Sequence, residues 1–245
     1  MINNNILYTV LFSVLLIPFI LRKEHIKQNK FSGYAYYIVK PISDQSSDKT
    51  SNLVRDLEPF GDKISESFVF LLEFEKSNSQ FTLIDTKELQ KFSERSVSLA
   101  AIQYGYSDTI WQKDEISYSK TYKDFEHKNP VLLKSYLDDP KWKITSEKKN
   151  IDKFVCYKAT KTLIYKRGKK TFSIPMIAWF CPDIPVSIGP AEFGGLPGII
   201  LEVQTNKYLY GLKSIHFNND VKLIPMPSLS SYTEEELINQ LSKFN

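Results

Sequence analysis

The sequence predicts a mainly β protein: a β-rich α+β fold in which a curved antiparallel sheet or half-barrel carries one medium helix and a short C-terminal helix. Three observations support this fold class. Tyrosine (14 residues) and phenylalanine (16 residues) are abundant, and aromatic residues are enriched in strands. Several segments alternate apolar and polar residues with the period of two that a half-buried strand shows. Two pairs of such segments flank short turn sequences, which is typical of β-hairpins.

The first predicted strands lie near the beginning of the domain. Residues 34–39 alternate aromatic and aliphatic side chains, as a strand does. From Phe68 to Phe74, every second side chain is apolar and falls on one face. A turn at 76–79 then leads into a returning strand at 80–84, so these two segments are predicted to form a hairpin.

The middle of the chain contains the strongest helix pattern. Asp85 and Glu88 form a helix-start signature, and apolar residues then recur at helical spacing. A helix is therefore predicted over 86–103. Strand-like alternation resumes over 109–122, and 131–137 is predicted to be a short helix.

The C-terminal part predicts two hairpins and a final helix. Residues 154–165 and 171–181 flank a glycine-containing turn, and 198–205 and 208–217 flank a second turn. Residues 233–236 read Thr-Glu-Glu-Glu, which is a capping box at the start of a short helix.

The first of these hairpins predicts where the two cysteines lie. With Gly168 and Lys169 as the two-residue loop, Cys156 faces Cys181 and apolar residues pair with apolar residues along one face. A register shifted by two residues keeps the faces matched but places the cysteines diagonally. Pro175 favours an edge position or a bulge, and a bulge would shift the register beyond it.

Two facing cysteines in an exported chain favour a disulfide between Cys156 and Cys181. Such a bridge would close a loop of about 25 residues and contribute on the order of 3 kcal/mol. Buried or free thiols are the alternative if the chain stays in the cytoplasm. His25, His127 and His216 are scattered without metal-ligand spacing, so no metal site is predicted.

The N-terminal residues 1–24 are predicted to be a signal peptide or a single membrane anchor. Residues 6–21 are almost entirely apolar. A run of this length is short for a membrane span and typical of a secretory signal. Arg22 and Lys23 follow the apolar run, which by the positive-inside rule alone would keep the rest in the cytoplasm. Export to the periplasm or cell envelope is the favoured reading, with membrane contact only through 6–21. Residues 31–245 are predicted to form one domain.

Charge and motifs narrow the function without assigning it. The net charge is +4, from 32 basic and 28 acidic residues that are spread along the chain, which does not indicate a nucleic-acid binder. The sequence contains no phosphate-binding loop, dinucleotide-binding glycine pattern, nucleophile elbow or zinc-protease helix. Consequently no cofactor is predicted.

Glu192 and Asp183 are the best-placed candidates for acid–base chemistry. Glu192 lies among apolar residues in a glycine- and proline-rich loop, where the pKa of a carboxyl can rise. The alternatives are a solvated loop residue or a partner of backbone amides, and for Asp183 a turn former. In the predicted register Lys158 also faces Trp179, which would allow a cation–π contact.

The loop that contains Glu192 has the most distinctive sequence in the chain. Glycine can adopt positive φ and proline fixes φ, so this composition specifies one backbone path. The residues that define this signature are Gly189, Pro190, Gly195, Leu196, Pro197 and Gly198.

The run from Phe193 to Glu202 closely resembles the signature of the GLPGLI family, exported proteins typical of Bacteroidetes. Segments 142–145, 156–160 and 178–185 match further family elements in the same order. Ile199 replaces the usual leucine. The family does not reliably have a cysteine at the position of Cys181, so a disulfide would not be a family-wide feature.

The resemblance implies a secreted or envelope-associated, mostly β protein without an established activity, and it transfers no catalytic residue. A similar module appended to a bacterial peptide N-glycosidase suggests an accessory or binding role. The leading hypothesis is a non-enzymatic envelope module that offers an aromatic-rich concave face to an apolar or peptide-like ligand or to an envelope protein. A hydrolase of glycan or peptide that uses Glu192 and Asp183, and a purely structural assembly protein, are the alternatives.

Overall fold

The computed structural model describes residues 31–42, 60–122, 129–138, 141–167 and 170–241. The predicted leader at 1–24 lies outside these ranges. Within them, no helix has the length and apolar character needed to cross a bilayer.

The described chain forms one open sheet of twelve strands, which confirms the predicted mainly β fold. The strands follow the order β12-β6-β5-β4-β3-β2-β1-β11-β10-β9-β8-β7, so β12 and β7 are the two edges. Only β12 is parallel to its neighbour in this sheet; the other neighbouring pairs are antiparallel. The strands are β1 (Ser32–Pro41), β2 (Phe70–Glu75), β3 (Asn78–Leu83), β4 (Ile110–Lys113), β5 (Ile116–Tyr122), β6 (Pro130–Tyr136), β7 (Lys143–Ile151), β8 (Phe154–Arg167), β9 (Lys170–Cys181), β10 (Ile199–Gln204), β11 (Tyr208–Phe217) and β12 (Ser231–Tyr232). The helices are α1 (Gly61–Ser65), α2 (Glu94–Gln103) and α3 (Glu234–Leu241).

The β8–β9 hairpin has the predicted register. Tyr157 pairs with Phe180, and the pairing continues without a bulge to Arg167 and Lys170. Pro175 does not disturb it, because β10 pairs with β9 only from Ile177 onward and proline is tolerated beside an open edge. The outer halves of β8 and β9 therefore extend beyond their neighbours as a two-stranded ribbon.

The predicted helix over 86–103 is interrupted. A single 3-10 turn spans Leu89–Lys91, and Phe92 is extended before α2 begins. The Oγ of Ser93 accepts a hydrogen bond from the backbone N–H of Ser96 (3.1 Å). Serine at this position is a strong N-cap, so the α-helix begins later than the Asp85 signature indicated.

One further segment differs from its prediction, and another is confirmed as strand. Residues 131–137 are not a helix, because their apolar side chains complete strand β6 against β5 and tertiary pairing overrides local propensity. The strand-like stretch 109–122 forms β4 and β5, joined by a two-residue turn. Asp114 and Glu115 have φ values of 52° and 64°, the left-handed pair that a two-residue hairpin turn requires.

The core is a cluster of aromatic side chains from the middle of the sheet. Tyr37, Phe70, Phe81 and Tyr210 have no exposed surface, and the Phe70 and Phe81 rings stack with centroids 5.0 Å apart. The Oη of Tyr210 donates a 2.9 Å hydrogen bond to the carbonyl of Tyr104, at the end of α2. This contact fastens the helical segment onto the aromatic face of the sheet.

The opposite face of the sheet is crossed by the segment 218–230, which connects β11 to β12. Its Ile224 N–H donates to Oε1 of buried Gln80 (2.7 Å), and Nε1 of Trp111 donates to the Ile224 carbonyl (3.3 Å). Gln80 directly precedes Phe81 on β3, and successive side chains of a strand point to opposite faces, so Gln80 points away from the aromatic core. The segment 218–230 thereby covers a buried amide on the outer face.

Candidate functional site

The glycine- and proline-rich loop between β9 and β10 is held by one buried side chain, Gln112 of β4. Its Nε2 donates to the carbonyl oxygens of Gly189 (3.1 Å), Ala191 (2.8 Å) and Phe193 (3.0 Å), and its Oε1 accepts from the Gly189 N–H (3.3 Å). An amide has two N–H donors, so three carbonyls share them. One side chain thus fixes the backbone on both sides of Glu192.

A second side chain and two glycines complete this arrangement. Nε1 of Trp142 donates a 2.8 Å hydrogen bond to the carbonyl of Gly194. Gly195 has φ of +78°, and a Cβ there would lie 2.8 Å from the carbonyl oxygen of Leu137. A Cβ on Gly198 would lie 2.2 Å from the carbonyl oxygen of Cys181. These glycines are required because other backbone segments pass too close for a side chain.

Glu192 projects from this fixed loop and remains exposed to solvent. The Oγ of Ser119, on β5, donates to its Oε1 at 3.3 Å. Surrounding protein raises the pKa of the Glu192 carboxyl chiefly by desolvation, against the opposing effect of the Ser119 hydrogen bond. Glu234 raises this pKa further and Lys161 lowers it.

We call the exposed region around Glu192, beside Ser119 and the glycine- and proline-rich loop, the cleft. The groups that act on Glu192 come from β5, from β8 and from the start of α3, yet its side chain keeps contact with water. Tyr208 of β11 is also close enough for the Glu192 charge to raise its pKa, in addition to the larger effect of burial. Clefts that combine an accessible carboxyl of shifted pKa with converging polar groups are the usual form of a ligand site.

One wall of this cleft is the β8–β9 ribbon. Nζ of Lys161 lies 4.5 Å from the centroid of the Trp142 ring and 3.5 Å from the Leu137 carbonyl oxygen. Leu163 lies on the same face of β8 and pairs with Ile174 of β9. Both aliphatic side chains are half-buried and pack against the core. Among the described side chains of this wall, an apolar pair thus lies next to Lys161 along the ribbon.

The structure does not bring Asp183 to this cleft. Asp183 is exposed in the turn after β9, and no contact joins it to Glu192 among the described residues. The groups that shift the pKa of Glu192 do not include Asp183. The two candidates predicted as an acid–base pair are thus separate features of the loop.

The predicted disulfide is not formed: Cys156 and Cys181 are buried free thiols. Burial, then the neighbouring Cys181, raises the pKa of Cys156 to about 12. Burial likewise raises the pKa of Cys181. Sγ of Cys156 donates instead to the Phe154 carbonyl (3.7 Å). Because the thiolate is the reactive form, these protonated, water-excluded thiols are poor partners for oxidation.

The predicted aromatic ligand surface is also corrected. The rings of Tyr37, Phe70, Phe81 and Tyr210 are fully buried, in one core cluster with residues of α2 and of the loop. They stabilise the core rather than contact a ligand. Across the described residues, no group of three or more His, Cys, Asp or Glu side chains is placed to hold a metal ion.

Sequence reasoning missed Gln112, Ser119 and Lys161, which lie on other strands than the loop they contact. A weak signal was available for Gln112, because it occupies an inward position of β4 where alternation calls for an apolar side chain. Ser119 and Lys161 carry no such signal. Their proximity to Glu192 follows from the order of strands in the sheet.

Residues 166–202 match a family model described as "Protein of unknown function (Porph_ging)". This segment runs from the end of β8 through β9 and the loop into β10. No curated protein matches the sequence. The structures of PNGF-II in the C2 and P21 space groups each align with a TM-score of 0.48 and 10% sequence identity, over 87% of this chain. The chain spans 33% of the length of those structures.

Proposed function

We propose that this protein is a GLPGLI-type exported protein that acts as a non-enzymatic binding or accessory module of the cell envelope. Its ligand is peptide-like and binds in the cleft over Glu192. The family assignment is supported by the signature loop, and the envelope location by the apolar run at residues 6–21.

The observation that carries the binding role is the placement of Glu192. Its side chain is exposed, but the backbone on either side is immobilised by the Gln112 amide. A polar group held in one position loses little freedom when a ligand binds, which favours affinity. The apolar ribbon beside it, with Leu163 and Ile174, provides the surface that a peptide side chain can cover.

A hydrolase is the second candidate, and the raised pKa of Glu192 favours it. A raised pKa makes a carboxyl better suited to act as a general acid. The geometry supplies no second catalytic group from Asp183, which lies outside the cleft. Glu234 is the described carboxylate whose charge acts on Glu192, so a hydrolase would have to use that residue instead.

Saturation-transfer NMR with a mixture of N-acetylated, C-amidated tetrapeptides distinguishes the two candidates in one sample. The binding module gives saturation transfer to some peptides, lost in Glu192→Gln and kept in Glu235→Gln, while all peptide signals stay constant for a day. Disappearance of peptide signals with growth of product signals, abolished by Glu192→Gln, would establish the hydrolase. Absence of transfer to every peptide would reject a peptide-binding role.

A further inference from the structure

Two neighbouring side chains on the outer face of the sheet bind both backbone groups of a single residue. Gln80 of β3 and Trp111 of β4 are directly opposite each other, and such cross-strand pairs project on the same face. Oε1 of Gln80 accepts the Ile224 N–H (2.7 Å), and Nε1 of Trp111 donates to the Ile224 carbonyl (3.3 Å). We call Gln80 and Trp111 the clamp. Gln112, which holds the glycine- and proline-rich loop, follows Trp111 on β4 and so projects on the other face.

The clamp is arranged so that it requires a backbone donor. Gln80 is 1% exposed, and its Nε2 donates to the carboxylate of Glu73, which is the residue opposite it on β2. With Nε2 engaged in this way, Oε1 is the amide atom that faces the crossing chain. A buried acceptor without a donor is unfavourable. Some N–H group must therefore occupy the place that Ile224 fills.

The residue that fills the clamp indicates which chemistry the clamp recognises. The Ile224 side chain is 59% exposed, so the clamp binds the backbone and leaves the side chain in water. Pro225 follows, and a residue before proline is restricted to extended backbone. In an extended chain the N–H and C=O of one residue point to the same side, as the clamp needs. Proline itself has no N–H, so the crossing leaves no donor unpaired there.

The segment 218–230 that supplies Ile224 is lightly attached to the sheet. It contains neither helix nor strand, and Val221 is its one buried residue. Irregular segments that bury little apolar surface are the parts of a protein that open locally at low free energy. Each opening of this segment leaves the Gln80 acceptor without its donor and the clamp accessible.

We propose that the clamp is a binding site for an extended peptide segment of a partner protein in which a residue of any identity precedes proline. The chain's own Ile224-Pro225 occupies this site in cis, and the partner's segment replaces it. The site lies on the opposite face of the sheet from the loop that carries Glu192, so this inference goes beyond the proposed function and does not depend on it.

The peptide N-acetyl-Val-Lys-Leu-Ile-Pro-Met-Pro-Ser-amide, which has the sequence of residues 221–228, is the probe. In the full chain, Val221→Ser and Ile224→Pro together remove the buried contact and the N–H donor, which opens the clamp. The indole nitrogen-15 signal of Trp111, identified by its loss in Trp111→Phe, should then shift saturably with added peptide. The wild type, whose clamp is filled in cis, should bind the peptide at least tenfold more weakly. If the double variant does not fold, Val221→Ser alone provides the same comparison.

Three altered peptides test the recognised chemistry on the opened variant. N-methylation of the isoleucine removes the N–H donor and should weaken binding at least tenfold. Serine in place of isoleucine should change the affinity less than threefold, because this side chain stays in water. Alanine in place of the proline that follows should weaken binding several-fold, since the backbone is then no longer held extended.

The protein side of the contact is tested by saturation transfer to the peptide. Trp111→Phe in the opened variant keeps a ring but removes the indole donor, and should lower the affinity several-fold. Trp179→Phe makes the same change on β9 and should leave the affinity unchanged. Equal effects of these two substitutions, equal binding of the N-methylated peptide, or no binding to the opened variant would overturn the inference. A dimer of the opened variant that the peptide does not dissociate would assign the clamp to a second copy of the chain and overturn the partner assignment.

Discussion

Replacing Gln112 with leucine should destabilise the protein more than almost any other single polar-to-apolar change. The amide provides two N–H donors and one acceptor to the loop, and the side chain is 1% exposed. Leucine has a similar volume, so the change removes hydrogen bonds without opening a large cavity. Three hydrogen bonds at about 1 kcal/mol each, together with the cost of leaving buried carbonyls unpaired, predict a loss of about 3–5 kcal/mol.

Urea unfolding of the full chain measures this loss from the shift of the midpoint at constant slope. Gln90→Leu is the matched control, because Gln90 is an exposed glutamine whose amide also donates to a side chain, that of Asp85 (2.8 Å). The control should change the free energy of unfolding by less than about 0.5 kcal/mol. If Gln112→Leu cost no more than Gln90→Leu, the loop would not depend on this amide and our account of the cleft floor would be refuted.

Three further predictions concern Gly195, Glu192 and the two cysteines. Gly195→Ala should lower the free energy of unfolding in urea by more than about 2 kcal/mol, since alanine is strained at positive φ and its Cβ would meet the Leu137 carbonyl. Gly211→Ala is the control and should cost far less, because the nearest atom to a Cβ there is a side-chain carbon at 3.3 Å. Equal losses in the two variants would contradict the packing argument. Because the pKa of Glu192 is raised in the folded state, its contribution to stability is complete below the unfolded pKa and is lost as the pH rises through the folded pKa. Glu192→Gln should therefore be more stable than wild type at pH 8 but not at pH 4. The opposite pH trend would refute a raised pKa. Both cysteines should resist iodoacetamide in the native protein and react in urea, and a mass increase of two hydrogens on adding reductant would show a disulfide instead.

The β8–β9 hairpin shows how far the sequence alone can lead. Alternation along two strands, together with a two-residue loop, was sufficient to predict which residues face each other, including Lys158 and Trp179. The predicted cation–π contact between them is nevertheless wrong. Nζ of Lys149, on β7, lies 4.5 Å from the Trp179 ring, while Lys158 pairs with Glu147. Local periodicity defines a pair of strands, but the identity of the next strand in the sheet is a long-range property.

The same limit explains the other differences. Residues 131–137 have a composition that suits a helix or a strand, and pairing with β5 decides between them. Ser93 was overlooked as a cap because the earlier Asp85 signature fitted the helical spacing equally well. Glu192 was identified from the loop, whereas Ser119 comes to it across several strands of the sheet. The chemistry of the loop was therefore predictable, but its partners were not.

Folding accounts for some residues of the loop and not for others, and this difference is the strongest argument for function. Gly195 and Gly198 are explained by the close approach of other backbone segments. Nothing in the packing requires a carboxylate at position 192, where a neutral side chain would avoid both desolvation and repulsion from Glu234. A residue that works against stability in an otherwise consistent structure marks a functional site. The proposed binding function would explain why this position holds a carboxylate.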